Sequence, residues 1–162
     1  MPKFCIFRKI INEMNYNVTL PLPQGWACEQ DCYEEVAGEM ITHLNCHLTP
    51  AGSDTAKAAM DIYVGDMPEG TTAEDEAFAN YADIIGWDDD EDDEQSPIAE
   101  WKFQKKRAFG FSGICEDESV MLVMCVEIKQ GVLLIASVVA ENDDELSKWA
   151  EYLDHHLRIS KA

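Results

Sequence analysis

An α+β fold, with a mostly antiparallel sheet of about six strands and helices packed on its faces, follows from three features of the sequence. Short alternating stretches are joined by turns and loops of a few residues, the kind of connection that suits antiparallel neighbours. Two later runs, 120–128 and 132–139, are so nearly continuous in apolar residues that both faces must be covered. Two further segments carry apolar stripes at helical spacing behind residues that cap helix starts.

The elements follow in order. Phe4, Phe7, Ile10, Ile11 and Met14 fall three or four apart and predict a helix, with a strand over 4–11 as the competing reading. YNVTLPL, 16–22, alternates as a strand and ends at prolines suited to a strand end or edge. Gln24-Gly25 turns the chain into Trp26. The clearest alternation is 40–49, with Met40, Thr42, Leu44, Cys46 and Leu48 on one side and Ile41, His43, Asn45 and His47 on the other. Residues 58–64 return as a strand. Thr71 and Thr72 ahead of Glu74 and Asp75 open a helix striped by Ala77, Phe78, Tyr81, Ala82 and Ile85 and ended by Gly86. Residues 98–111 read as one long strand, with Gly110 and Gly113 marking a bend or bulge. The two apolar runs form a hairpin through Lys129-Gln130-Gly131. Asn142 caps a last helix whose buried stripe is Leu146, Trp149, Ala150, Leu153 and Leu157, and His155-His156 near its end suit the helix dipole.

At 162 residues the chain is expected to form a single domain, 1–162, with an acidic loop at 88–97. Apolar content of 46% and charged content of 27% are ordinary, but the net charge of −20 is not. Such a charge repels nucleic acid and anionic membrane and leaves basic proteins and metal cations as partners. No apolar run approaches the ~20 residues of a membrane helix. The start, broken by Arg8 and Lys9, lacks the form of a signal peptide, so a cytoplasmic location is expected, with the six cysteines as thiols.

The charge is concentrated. Between Asp66 and Glu94 lie thirteen acids and no lysine or arginine, so 13 of the 20 net negative charges fall in 29 residues. The densest part is Asp88, Asp89, Asp90, Glu91, Asp92, Asp93 and Glu94, preceded by Trp87, an aromatic that either anchors a partner or pins the loop's start. The run does not fit a calcium loop of the EF-hand type, because its sixth residue is Asp93 and its twelfth Ala99. It fits a docking face for a basic protein, whose association it would accelerate in a salt-dependent way. The basic block KFQKKR, 102–107, is expected to sit on a strand, with Lys102, Gln104 and Lys106 on one face and Lys105 and Arg107 on the other, partly neutralising the acidic loop.

The alternatives are weaker. Cys28 and Cys32 with His43 and His47 have finger-like pair spacings, but the ten-residue gap is short, and residues i and i+4 on a strand sit ~13 Å apart. No nucleophile elbow and no phosphate-binding glycine loop is present, and no carboxylate pair can be singled out as acid and base. The expected protein is therefore a non-enzymatic binding protein without a cofactor. An immunity-type inhibitor of a basic toxin is one alternative, and a hydrolase or metal-binding protein using the His43/His47 region is another.

From Trp101 to Ile159 the order WKFQKKRAFGFSG, VMLVMCVEIKQGVLLIASVVA and DELSKWAEYLDHHLRI resembles the PsbP-like fold, as does the opening strand ending in LPLPQGW. The resemblance implies a small accessory or adaptor protein that binds other proteins. The family has no shared catalytic motif, so it implies no site residue.

Overall fold

A computed structural model describes residues 3–8, 16–36, 39–49, 57–86 and 97–161, with side chains throughout except at 3–8, 30–36, 39–40 and 161. The described elements are β1 (Lys3–Arg8), β2 (Tyr16–Leu22), β3 (Trp26–Val36), β4 (Glu39–Leu48), β5 (Ala58–Asp66), α1 (Ala73–Ile84), β6 (Ala99–Phe103), β7 (Lys106–Ile114), β8 (Val120–Lys129), β9 (Val132–Ala140), α2 (Asp143–His156) and β10 (Arg158–Lys161). Seven strands form one sheet in the order β3-β4-β5-β9-β8-β7-β6, and β1-β2-β10 form a second. Every pairing is antiparallel. The fold is thus mixed and strand-rich, with two sheets where the sequence suggested one.

The hydrophobic β8–β9 hairpin occupies the middle of the large sheet and is covered on both sides. On the inner face, Leu134, Ala136 and Val138 join Val18, Leu20 and Leu22 of β2 and Leu146, Trp149 and Leu153 of α2 in the main core. On the outer face, Leu133 of β9, Cys125 of β8 and Phe109 of β7 pack beneath Ala73 and Ala77 of α1. α1 packs against β7 and β8. Over β4 and β5 the outward side chains, from Ile41 to His47 and from Ala59 to Tyr63, stay half-buried.

Four expectations are corrected. The N-terminal segment is a strand, not a helix: β1 pairs with β2 so that Phe4 lies opposite Pro21 and Phe7 opposite Val18; the rest of that helix, 9–15, falls outside the described residues. β3 went unrecognised because WACEQDCYEEV carries four acids and no clean alternation, as suits a charged edge strand. β10, four residues against β2, is too short to read from sequence. The single strand over 98–111 is a hairpin, turning at Gln104 (φ 49°) and Lys105 (φ 68°).

That turn lacks the Asn-Gly or Asp-Gly pair that favours left-handed φ. Tertiary bonds stabilise it instead. The Gln104 backbone N–H donates to Asp154 Oδ1 at 2.7 Å, and its side-chain amide donates to the Asp154 and Leu157 carbonyls at 3.1 and 2.6 Å. Gly110 marks no bulge, since β7 runs in unbroken register from Ala108 to Ile114; the irregularity lies in β8 between Glu127 and Lys129. Gly110 is needed for space: a Cβ there would stand 2.0 Å from the Val123 carbonyl oxygen and 2.8 Å from the Trp101 ring.

Candidate functional site

α1 is placed by its first turn. Thr72 Oγ1 accepts from the Asp75 N–H at 3.1 Å, and Asp75 returns the bond by accepting from the Thr72 N–H at 3.0 Å. One stripe of the helix then seats on the sheet, with Tyr81 meeting Phe111 edge-on at 5.2 Å. The neighbouring stripe does not reach the sheet, because α1 lies over β7 and β8 while the outer face continues across β9, β5 and β4. The result is a groove of about 450 Å³. Its floor is apolar, from Ile41, Tyr63, Val123, Leu133 and Ile135, and its rim carries Asp66, Glu76, Asn80 and Asp83. Among the described residues no lysine or arginine lines it.

Six of the thirteen acids between Asp66 and Glu94 are described: Asp66, Glu69, Glu74, Asp75, Glu76 and Asp83. Asp66 ends β5, Glu69 lies on the segment entering α1, and the other four lie on α1. Asp66 accepts from Tyr16 Oη at 2.5 Å, which ties the groove's end to the small sheet. The remaining candidates, Trp87, Asp88, Asp89, Asp90, Glu91, Asp92, Asp93 and Glu94, lie outside the described residues.

The basic block does not form the expected two-faced strand. Across the hairpin Lys102 faces Arg107 and Phe103 faces Lys106. Arg107 grips Glu100 in a two-pronged bond, at 2.9 and 3.0 Å, and lies 5.1 Å from the centre of the Phe109 ring. The bond holds the Glu100 carboxyl below its usual range and raises the guanidinium, with Glu74 adding to the latter. Both partners are exposed, so the pair contributes little to stability. Among the described residues no other lysine or arginine forms an ion pair. Among the described acids Arg107 acts on Glu100 and, at the start of α1, on Glu74; the acidic run that the block was expected to neutralise lies outside the described residues.

A polar cluster borders the groove on β4 and β5. Asp61 Oδ1 lies 2.8 Å from His43 Nε2 and accepts from Asn45 Nδ2 at 2.5 Å. The His43 ring stacks on Tyr63 with centres 4.2 Å apart. Burial, with Asp61 nearby, raises the Tyr63 phenol. No described hydroxyl or thiol bonds to His43, so among the described residues the pair has no nucleophile to activate and instead ties β4 to β5 beside the groove floor.

The zinc set fails. Cys28 is disulfide-bonded, which removes it as a thiolate ligand and corrects the expectation that all six cysteines are thiols. His43 is engaged by Asp61, while His47 faces Ala59, four register pairs along from His43 and Tyr63. The Cys32 side chain is outside the described set. Among the described residues no three histidine, cysteine or acidic side chains converge as for a metal. Free Cys46 and Cys125 are buried, and burial pushes both thiols up to about 12, which suits packing and not catalysis.

Asp61, Tyr63 and the groove itself were not singled out from sequence. Their only signal was the outward parity of β5, which acquires meaning once β4, β5 and β9 are known to be neighbours. No family model, no curated protein and no solved structure matches the chain.

Proposed function

We propose that this is a non-enzymatic binding protein that docks a basic protein on the acidic outer face around α1. The observation that carries the reading is the groove beside α1, acidic at the rim, apolar on the floor and, among the described residues, lined by no basic side chain. A partner there gains electrostatic steering from the rim and affinity from the floor. The net charge of −20 disfavours nucleic acid and anionic lipid, and no described helix is long and apolar enough to cross a membrane. The PsbP-like resemblance, which implies an accessory role, agrees. No cofactor enters this reading.

An immunity-type inhibitor of a basic toxin is a narrower form of the same proposal. The hydrolase or metal-binding alternative loses support from the Cys28 disulfide and because no nucleophile among the described residues bonds to His43. A cytoplasmic setting fits the sequence but sits poorly with a stable disulfide.

The test is a paired capture at low salt with the native chain and with the Glu69→Lys, Glu74→Lys, Asp83→Lys variant. A basic protein held by the first, lost by the second and released by moderate salt supports docking. Equal retention by both chains contradicts it. Loss of the captured protein's own toxic activity on binding would single out the inhibitor form.

A further inference from the structure

We infer that the groove receives an amphipathic cationic segment of the partner, with an aliphatic side chain on the floor and a lysine or arginine at the C-terminal end of α1; this rests on the docking proposed above. Charge alone does not account for the site. The floor offers Ile41, Tyr63 and Ile135, half-buried side chains that a purely ionic partner would leave uncovered. Ile84, on the groove wall, is 48% exposed, a large aliphatic side chain with no core to enter. An aliphatic side chain laid between Ile84 and the floor would bury both.

The position of the cation follows from the helix. The last turn of α1 contains Asp83 and no basic residue, whereas the last turn of α2 carries His155 and His156. Asp83 therefore adds negative charge where the helix dipole is already negative. At the opposite end Glu74 lies in the field of Arg107. Asp83, next to the exposed Ile84, is thus the rim acid whose charge the helix dipole reinforces instead of offsetting. A lysine or arginine adjoining an aliphatic residue matches that pair.

The experiment measures fluorescence anisotropy with two labelled peptides of equal charge, one alternating leucine and lysine, the other lysine with serine in place of leucine. The Leu/Lys peptide should bind about tenfold tighter, the ratio expected from burying one aliphatic side chain. Ala79→Trp fills the groove from an exposed helix position without changing charge and should abolish that ratio; Ser137→Phe, filling it from the sheet, should do the same. Asp83→Asn should weaken both peptides by a similar factor. Equal affinity of the two peptides, or a ratio unchanged by both filling variants, overturns the inference and leaves docking by charge standing. Failure of both peptides to bind at low salt overturns the docking itself and this inference with it.

Discussion

Asp83 and Gly110 are residues whose neighbours dictate opposite responses to substitution. Asp83 opposes the dipole of its own helix, so Asp83→Asn should stabilise the free protein by about 0.3–1 kcal/mol while weakening cationic partners, and chemical denaturation alongside peptide binding would detect the opposed signs. Gly110→Ala drives a methyl into the Val123 carbonyl and the Trp101 ring and should cost about 1–3 kcal/mol or more in the same denaturation measurement. The buried thiols give a pH prediction. Folding raises Cys46 and Cys125 from 9 to about 12, so their contribution is complete below pH 9 and is lost as pH rises toward 12. Stability should fall across that window, and the Cys46→Ala, Cys125→Ala variant should flatten the fall. At Cys28, peptide mapping without reduction, on protein whose thiols were blocked at lysis, should find a cross-linked peptide; a blocked, unlinked Cys28 would contradict the disulfide.

At the scale of elements, the legible ones carried their instructions locally. Thr72 with Asp75, and Asn142 bonded to the Glu145 N–H, start the helices as capping chemistry dictates. The alternation in β2, β4 and β5 reproduces their buried and half-buried faces. The elements that were missed depend on distant partners. β6 and β7 separate at Gln104, whose bonds are received by Asp154 and Leu157 some fifty residues along the chain. Gln104→Ala should therefore lower stability by about 1–2 kcal/mol, through two lost side-chain bonds to the end of α2. Gln104→Gly loses the same bonds but relaxes the left-handed backbone, so it should be less harmful. Thermal unfolding of the two variants would rank them. β3 and β10 gave no signal because one is a charged edge and the other four residues long.

Across the whole molecule, the sequence revealed where charge accumulates but not what shape it surrounds. Thirteen acids without a base between Asp66 and Glu94 could be counted directly. The groove depended on strand order, because it exists only where β9, β5 and β4 extend the sheet beyond the reach of α1. The position of the basic block also needed the fold: its hairpin places Arg107 against Glu100 and near Glu74, leaving Asp83 and the groove without a cation among the described residues. Asp83 therefore holds its charge where the helix dipole adds to it, whereas Glu74, Asp75 and Glu76 stand where the dipole offsets theirs. The most direct measurement is a nuclear magnetic resonance titration of isotope-labelled protein with the lysine–serine peptide at low salt. Docking predicts shifts concentrated on α1, on 66–69 and on the groove floor, and their disappearance at moderate salt. Shifts spread evenly over the surface, or gathered on α2 and the three-stranded sheet, would contradict it.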